Sequence, residues 1–316
     1  MRNRLARCSE RRLSARPPQL VHHRSGRRAL ASSSSPATRR TWFVTGCSSG
    51  LGRALCERLL ERGERVVATA RDITRIANLR ERYADRAVLL KLDITDNASV
   101  AAAVRAALAL DGGIDVLVNN AGYGLVGALE EVDEPAVKDA FDANVYGAYR
   151  LIRTFLPHMR ARKSGHILNI SSMAGFVGGP GFCFYSATKF ALEGMSEALA
   201  KEVAPFGIRV TLVEPGPFRT DFRSEKSLRA APAMEVYADT VGRFRKMLTD
   251  TDGKQPGDPR RAADAMMAVV ASDKPPLRLP LGDICTQAMR AKLGSVAEEM
   301  DRWAAVSAAT SFEPVT

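Results

Sequence analysis

Between residues 41 and 52 the chain reads Thr-Trp-Phe-Val-Thr-Gly-Cys-Ser-Ser-Gly-Leu-Gly. Three bulky apolar residues, Trp42-Phe43-Val44, run straight into a glycine-rich turn. Apolar residues at helical spacing follow (Ala54, Leu55, Leu59, Leu60), closed by Gly63. A strand that feeds a helix must return to the sheet alongside its predecessor, so this unit predicts parallel pairing.

The same rhythm recurs along the chain. Arg65–Ala70, Ala87–Leu92, Val116–Val118, His166–Ile170 and Arg209–Val213 are short runs rich in β-branched or aliphatic residues, with little polar alternation. Strands covered on both faces have that composition. Pieces of helical length and period separate them, for example Ala101–Leu110 and Lys189–Glu202. The expected fold class is α/β, with a doubly wound parallel sheet in three layers. No internal repeat and no Pro/Gly linker divides residues 41–220, so 41–316 is expected to form one domain. After about Asp221 the chain turns polar and is expected to cover the substrate site. Asp258-Pro259 there reads as a helix start into Arg260–Val270, Leu279-Pro280-Leu281 as a last short strand, and Ser295–Ser307 as a closing helix.

The net charge of +11 invites a nucleic-acid partner, but its distribution opposes one. Residues 1–40 carry eleven Arg, no Lys and one acid, Glu10; the remainder carries 35 Lys+Arg against 34 Asp+Glu. The body is nearly neutral and offers no footprint for a polyanion. The Arg- and Ser-rich tail has no apolar period and is expected to be disordered on its own. Two readings stay open for it: an organelle transit peptide, which would place the protein in a mitochondrion or plastid, or a mis-assigned start upstream of a cytoplasmic protein. No run of about 18 apolar residues exists to span a membrane. The five cysteines and four histidines show neither CxxC nor metal-ligand spacing, so no metal is expected.

Four features carry chemistry. In Thr45-Gly46-Cys47-Ser48-Ser49-Gly50-Leu51-Gly52 the glycines clear side chains from backbone N–H groups at a helix start, as a phosphate-bearing cofactor requires. A plain turn is the competing reading of the glycines alone. At the end of the next strand, 18 positions beyond Gly52, Ala70 is followed by Arg71. An acid there would bind the ribose 2′-hydroxyl of NAD, whereas a neutral residue and an Arg suit the 2′-phosphate of NADP. A solvated surface Arg, or a one-residue shift that presents Asp72, would undo that reading. Asn119-Asn120-Ala121-Gly122 closes another strand and is either a ligand-facing edge or a turn. In Tyr185-Ser186-Ala187-Thr188-Lys189 the Tyr and Lys lie four apart on one helix face, where an ammonium would lower the phenol pKa toward working pH. Alone, such a pair is usually an amphipathic surface pair. Ser171-Ser172 after a strand and Asn144 in the helical stretch Phe141–Arg150 give it company.

Together, in this order, TGCSSGLG, NNAG, Asn144, Ser-Ser, YSATK and Pro215-Gly216-Pro217-Phe218-Arg219-Thr220 resemble the short-chain dehydrogenase/reductase family over residues 41–225. Ser172, 13 positions before Tyr185, matches the family's serine. The resemblance implies a Rossmann-type fold and the catalytic set Asn144, Ser172, Tyr185 and Lys189. Tyr185 would exchange a proton with substrate, Lys189 would hold the nicotinamide ribose and depress the phenol pKa, and Ser172 would bond the substrate oxygen. Asn144 would anchor a water in a relay to Lys189. Gly46, Ser49, Gly50, Leu51, Gly52 and Arg71 would border the phosphates and ribose, and Asp93 would meet the adenine. Asn120, Ala121 and Gly122 would line the adenosine side. Pro215, Gly216 and Thr220 would embrace the carboxamide.

The expected activity is NADP(H)-dependent hydride transfer to or from a carbonyl or secondary alcohol, with NAD(H) as the alternative cofactor and an NAD-dependent alcohol dehydrogenase as the runner-up. A catalytically silent NAD(P)-binding regulator is the alternative of another class. Phe176, Phe182 and Phe184 suggest an apolar or bulky carbonyl substrate, or else they pack the core or a subunit interface. The segments RVVATARD and EPGPFRTDF resemble reductases related to hydroxysteroid and retinol dehydrogenases, which implies a steroid-, retinoid- or ketone-like substrate. By analogy the protein pairs as a homodimer or homotetramer through the helices bearing Asn144 and Tyr185.

Overall fold

The computed structural model describes residues 39–312; the tail at residues 1–38, with both readings of it, lies outside them. The central sheet holds seven strands. In chain order these are β1 (Thr41–Val44), β2 (Arg65–Ala70), β3 (Ala87–Lys91), β4 (Val116–Asn119), then β6 (Gly165–Ile170), β7 (Ile208–Pro215) and β9 (Arg278–Leu281). A separate short pair joins β5 (Gly124–Val126) to β8 (Leu228–Ala230). The sheet order is β3-β2-β1-β4-β6-β7-β9, and every pairing is parallel. Strand order therefore reverses at β1, between β2 on one side and β4 on the other, which is where ligands bind in open α/β sheets.

The helices are α1 (Gly50–Glu61), α2 (Ala77–Tyr83), α3 (Asn97–Leu108), α4 (Glu134–Phe141), α5 (Gly147–Arg162), α6 (Cys183–Val203), α7 (Arg243–Asp250), α8 (Pro259–Ala271) and α9 (Asp283–Ala308). Because side chains alternate across a strand, β1 feeds two cores. Trp42 and Val44 pack with Leu55 and Leu59 of α1 and Ala263 and Met266 of α8. Phe43 faces the other way, into Leu151, Phe155 and Met159 of α5 and Val104 of α3. Its ring meets Phe155 edge-on at 4.9 Å. Each fully buried ring contributes roughly 1.5–3 kcal/mol of transfer free energy. The result is the expected three-layer, doubly wound Rossmann-type arrangement.

Two stretches differ from the sequence reading. Phe141–Arg150 is not one regular helix: α4 ends at Phe141, a π turn spans Asp142–Tyr146, and α5 then begins. The closing helix runs from Asp283 to Ala308, far longer than the expected Ser295–Ser307, because its start carries Cys285 and Met289 into the core. Asp258 caps α8 as anticipated, accepting from the Arg260 N–H at 2.8 Å. No helix of the described residues is long and apolar enough to cross a membrane.

Candidate active site

All the C-terminal strand ends of the parallel sheet open on one edge, and a cavity of about 1500 Å³ lies there. That exceeds the roughly 300–1000 Å³ of an ordinary small-molecule pocket and leaves room for a dinucleotide with a substrate beside it.

One wall is the glycine-rich turn. Cys47 is turned into the core, its thiol donating to the Val44 carbonyl at 3.0 Å, while Ser48, Ser49, Gly50 and Leu51 face the cavity. Ser49 precedes α1 in extended conformation and its side chain caps nothing, so the first N–H groups of the helix carry no side-chain acceptor. With the helix dipole behind them they form an anion cradle. Gly46 takes φ +69°, and a Cβ there would sit 3.0 Å from the Ala121 Cα. Gly52 corrects an expectation, because it does not border the cavity. A Cβ at Gly52 would lie 2.3 Å from Asn120 Nδ2 and 2.5 Å from the Gly46 carbonyl, so its glycine permits close packing of the turn.

The turn is stitched to the end of β4. Thr45 Oγ1 accepts from the N–H groups of Asn120 and Ala121, each at 2.9 Å, and the Asn120 amide donates to the Thr45 carbonyl at 2.8 Å. Asn120, Ala121 and Gly122 thereby line the cavity. Thr45 was not assigned a role from the sequence, although it stands in the motif; its hydroxyl makes the two loops one unit.

At the end of β2, Arg71 lines the cavity, as does Arg75. Asp72 does not compete. Its carboxylate accepts from Thr74 N–H at 3.0 Å and Thr74 Oγ1 at 2.6 Å, capping the turn that follows. Arg75 was missed by sequence reasoning; its only signal is its place four residues after Arg71. Asp93, after β3, also lines the cavity. Burial works against its charge, but the Thr95 backbone and hydroxyl donors and the nearby Arg71 hold it below the ordinary carboxylate range.

The opposite wall carries Ser172, Tyr185 and Lys189, with Pro215, Gly216 and Thr220 from β7 onward. Tyr185 and Lys189 share a face of α6, and the ammonium lies 5.8 Å from the phenol ring centre. Lys189 Nζ donates to the Ile170 carbonyl at 2.8 Å. Burial dominates the titration of both groups. Burial pushes the phenol up to about 12, partly offset by the Ser172 hydroxyl, and pulls the ammonium down to about 8, partly offset by Glu193. A low-dielectric setting disfavours both charged forms. Of the two serines, Ser172 stands beside Tyr185, while Ser171 is buried, with its hydroxyl close to Gly175.

Asn144 lies in the π turn and its side chain does not reach the cavity wall. Its amide accepts from the Tyr123 N–H and donates to the Tyr123 carbonyl, both at 2.9 Å, and donates to Thr188 Oγ1 at 3.1 Å. The extra residue of a π turn aims that amide inward, so the side chain braces the loop after β4.

Beyond Tyr185 the lining becomes aromatic and aliphatic. Phe182 meets Tyr185 at 5.0 Å and Phe244 at 4.8 Å, and Phe222 lies 5.8 Å from Tyr185. Met173, Val177, Leu228 and Met247 complete this part. Phe176 and Phe184 correct the reading of three pocket phenylalanines, because neither lines the cavity; helix and turn geometry points only Phe182 inward. Phe222 and Phe244 were not singled out, since sequence separation concealed their approach to Tyr185.

A cradle at a helix start, an arginine pair at the end of β2 and a phenol–ammonium pair across from them suit a nicotinamide dinucleotide. Residues 40–231 match the family model for short chain dehydrogenase. The chain belongs to the short-chain dehydrogenase family. Over 87% of its length it superposes on all of a Streptomyces avermitilis short-chain dehydrogenase, with 43% identity and a TM-score of 0.83. It is 37% identical to human retinol dehydrogenase 8, across 77% of this chain and 81% of that protein. The closed form of a serine dehydrogenase complexed with NADP+ is 27% identical, with a TM-score of 0.65, over 76% of this chain and 96% of that one. This short-chain dehydrogenase is thus an oxidoreductase of alcohol or carbonyl groups that uses a nicotinamide cofactor. The enzyme reading displaces that of a silent regulator.

Proposed function

We propose that the protein is an NADP(H)-dependent reductase of apolar ketones or aldehydes, or the reverse dehydrogenase. The observation that carries this reading is the Tyr185 phenol, flanked by Ser172 and by the rings of Phe182 and Phe222. A substrate oxygen at that phenol would leave its carbon skeleton among aromatic and aliphatic side chains, which recognise it by area and not by charge. The relationship to retinol dehydrogenase 8 supports an apolar substrate class.

The cofactor would rest with its phosphates at Ser49, Gly50 and Leu51, its 2′-phosphate at Arg71 and Arg75, its adenine by Asp93, and its nicotinamide by Pro215, Gly216 and Thr220. Arg71 faces the cavity while Asp72 is spent on Thr74, which favours the 2′-phosphate over a 2′-hydroxyl. When bound, the cofactor supplies or accepts the hydride. The chain supplies the rest. Tyr185 gives a proton to the substrate oxygen in reduction and takes it back in oxidation, Ser172 donates a hydrogen bond to the same oxygen, and Lys189 places positive charge beside the phenol as it ionises. Asn144 acts as a positioning residue by fixing the Tyr123 backbone. Residues 221–248 close the substrate side through Phe222 and Phe244, and residues 41–312 act as one domain around the sheet. The exposed Tyr146, Tyr149 and Phe190 on the helices that carry Asn144 and Tyr185 support assembly into a homodimer or homotetramer there.

The test is a carbonyl panel graded from small polar to large apolar compounds, with NADPH and NADH consumption followed in parallel. Large apolar carbonyls with NADPH should give the highest kcat/KM. Turnover confined to small polar carbonyls, or equal use of both cofactors, would overturn the corresponding half of the reading.

A further inference from the structure

One turn of α6 beyond Lys189, Glu193 is 5% exposed, and Glu214 of β7 is 0% exposed. Both face Arg278 of β9. Arg278 Nε lies 3.1 Å from Glu193 Oε2 and 3.6 Å from Glu214 Oε1, and Nη2 lies 2.7 Å from Glu197 Oε2. Three carboxyl groups thus converge on one guanidinium, and Glu197 at the rim already takes one edge of it. Glu193 Oε1 and both Glu214 carboxyl oxygens are buried without a hydrogen-bond donor. Ser171 of β6 packs alongside: a Cβ at Gly175 would meet Ser171 Oγ at 2.5 Å, Lys189 Cβ at 3.1 Å and Glu193 Cγ at 3.3 Å. Cys285 of α9 spends its thiol on the Glu214 backbone carbonyl at 3.1 Å and stays neutral, its pKa pushed up by burial. The groups facing the two carboxyls are therefore Lys189, Glu197, Arg278, Ser171 and neutral Cys285.

Two buried carboxylates on one nitrogen cannot both ionise without strong repulsion. A single proton between them removes one charge and gives an orphaned oxygen its donor. Burial raises both carboxyl pKa values, and the neighbouring Glu193 adds to that of Glu214.

We propose that Glu193 and Glu214 share one proton behind Lys189, and that their joint charge sets the pH at which Lys189 loses its ammonium proton. They are positioning residues acting through Lys189. The pH consequence rests on the role given to Lys189 above; the shared proton does not.

Two substitutions separate this from a merely structural role. Glu214→Gln keeps a donor toward Glu193 and removes the competing charge. Glu193 then ionises fully, and the alkaline limb of the kcat/KM profile should move up by roughly half to one pH unit. Glu193→Gln removes the anion nearest Lys189 and should move the same limb down by a similar amount. A limb that stays fixed while kcat falls, or moves the same way in both variants, would overturn the proposal. Infrared spectroscopy of the wild-type protein supplies a readout independent of turnover. A protonated-carboxyl C=O band should be present at neutral pH and disappear in Glu214→Gln. Its absence from the wild type would sink the shared proton even if neither variant folded. Conversely, full activity of Tyr185→Phe would refute the assigned chemistry and leave the infrared result standing.

Discussion

Lys189 holds its ammonium 5.8 Å from the centre of the Tyr185 ring and donates to the Ile170 carbonyl at 2.8 Å. Burial holds the phenol neutral, whereas the ammonium, its pKa pulled down to about 8, still carries its charge at neutral pH. Removing the phenolic proton donor tests the chemistry directly. Tyr185→Phe should lower kcat roughly 10²–10⁴-fold, the span expected for losing a general acid/base. NADPH affinity, measured by fluorescence titration, should change little.

Keeping Lys189 buried has a cost in stability. Its folded-state pKa of about 8 lies below the ordinary lysine value of 10.5, so the unfolded chain binds more protons across that window. Stability of the cofactor-free protein should rise with pH from about 8 to 10.5 through this group. Lys189→Met removes a penalty of roughly 3 kcal/mol at pH 7 and forfeits a hydrogen bond worth about 1 kcal/mol. The variant should unfold a few degrees higher in calorimetry and be inactive. A lower Tm would show that the ammonium stabilises the fold.

Recognition of the 2′-phosphate by Arg71 is part of the proposal and can be tested on that residue alone. Arg71→Ala should raise KM for NADPH about 10- to 100-fold, the worth of a charge-assisted hydrogen bond, and leave KM for NADH nearly unchanged. Asp72→Ala, which loses only the cap on Thr74, should leave the NADPH-to-NADH preference intact. Parallel loss with both cofactors would remove Arg71 from 2′-phosphate recognition.

Phe244 comes from α7 and stacks edge-on against Phe182 at 4.8 Å. Phe244→Ala should raise KM for bulky apolar carbonyls by about 10-fold or more, with a smaller effect on small ones, because the lost contact is apolar area. Steady-state kinetics over the same carbonyl panel measures the difference. A uniform fall in kcat would place Phe244 in the fold alone.

His166 should shape acid stability. It is buried on β6, its Nε2 3.0 Å from Thr211 Oγ1 and its Nδ1 unpartnered, and burial with Arg209 nearby lowers its pKa to about 4. A neutral His buried this way contributes stability above pH 6.5 that is lost as pH falls toward about 4, some 3 kcal/mol in all. His166→Gln should flatten the acid limb of a Tm–pH curve in that window. An unchanged acid limb would place the loss elsewhere.

The sequence by itself determined the strands and their parallel, doubly wound class, while their order in the sheet came from the structure. Strands β2, β3, β4, β6 and β7 stand within a residue or two of the runs read from it, because burial on both faces leaves an uninterrupted apolar signature. The order of TGCSSGLG, NNAG, Ser172 and YSATK likewise marked the family, since each motif sits at a strand end or on one helix face, where spacing alone fixes relative position. What the tertiary structure decided depends on contacts between distant residues or on dielectric. Spacing could not show that Gly52 packs against Asn120, that a π turn commits Asn144 to Tyr123, or that Phe244 and not Phe184 meets the pocket. Nor could it give the protonation of Tyr185 and Lys189. Four residues along a helix predict attraction between a phenol and an ammonium, but only the tertiary structure shows both groups buried, which disfavours the charged form of each.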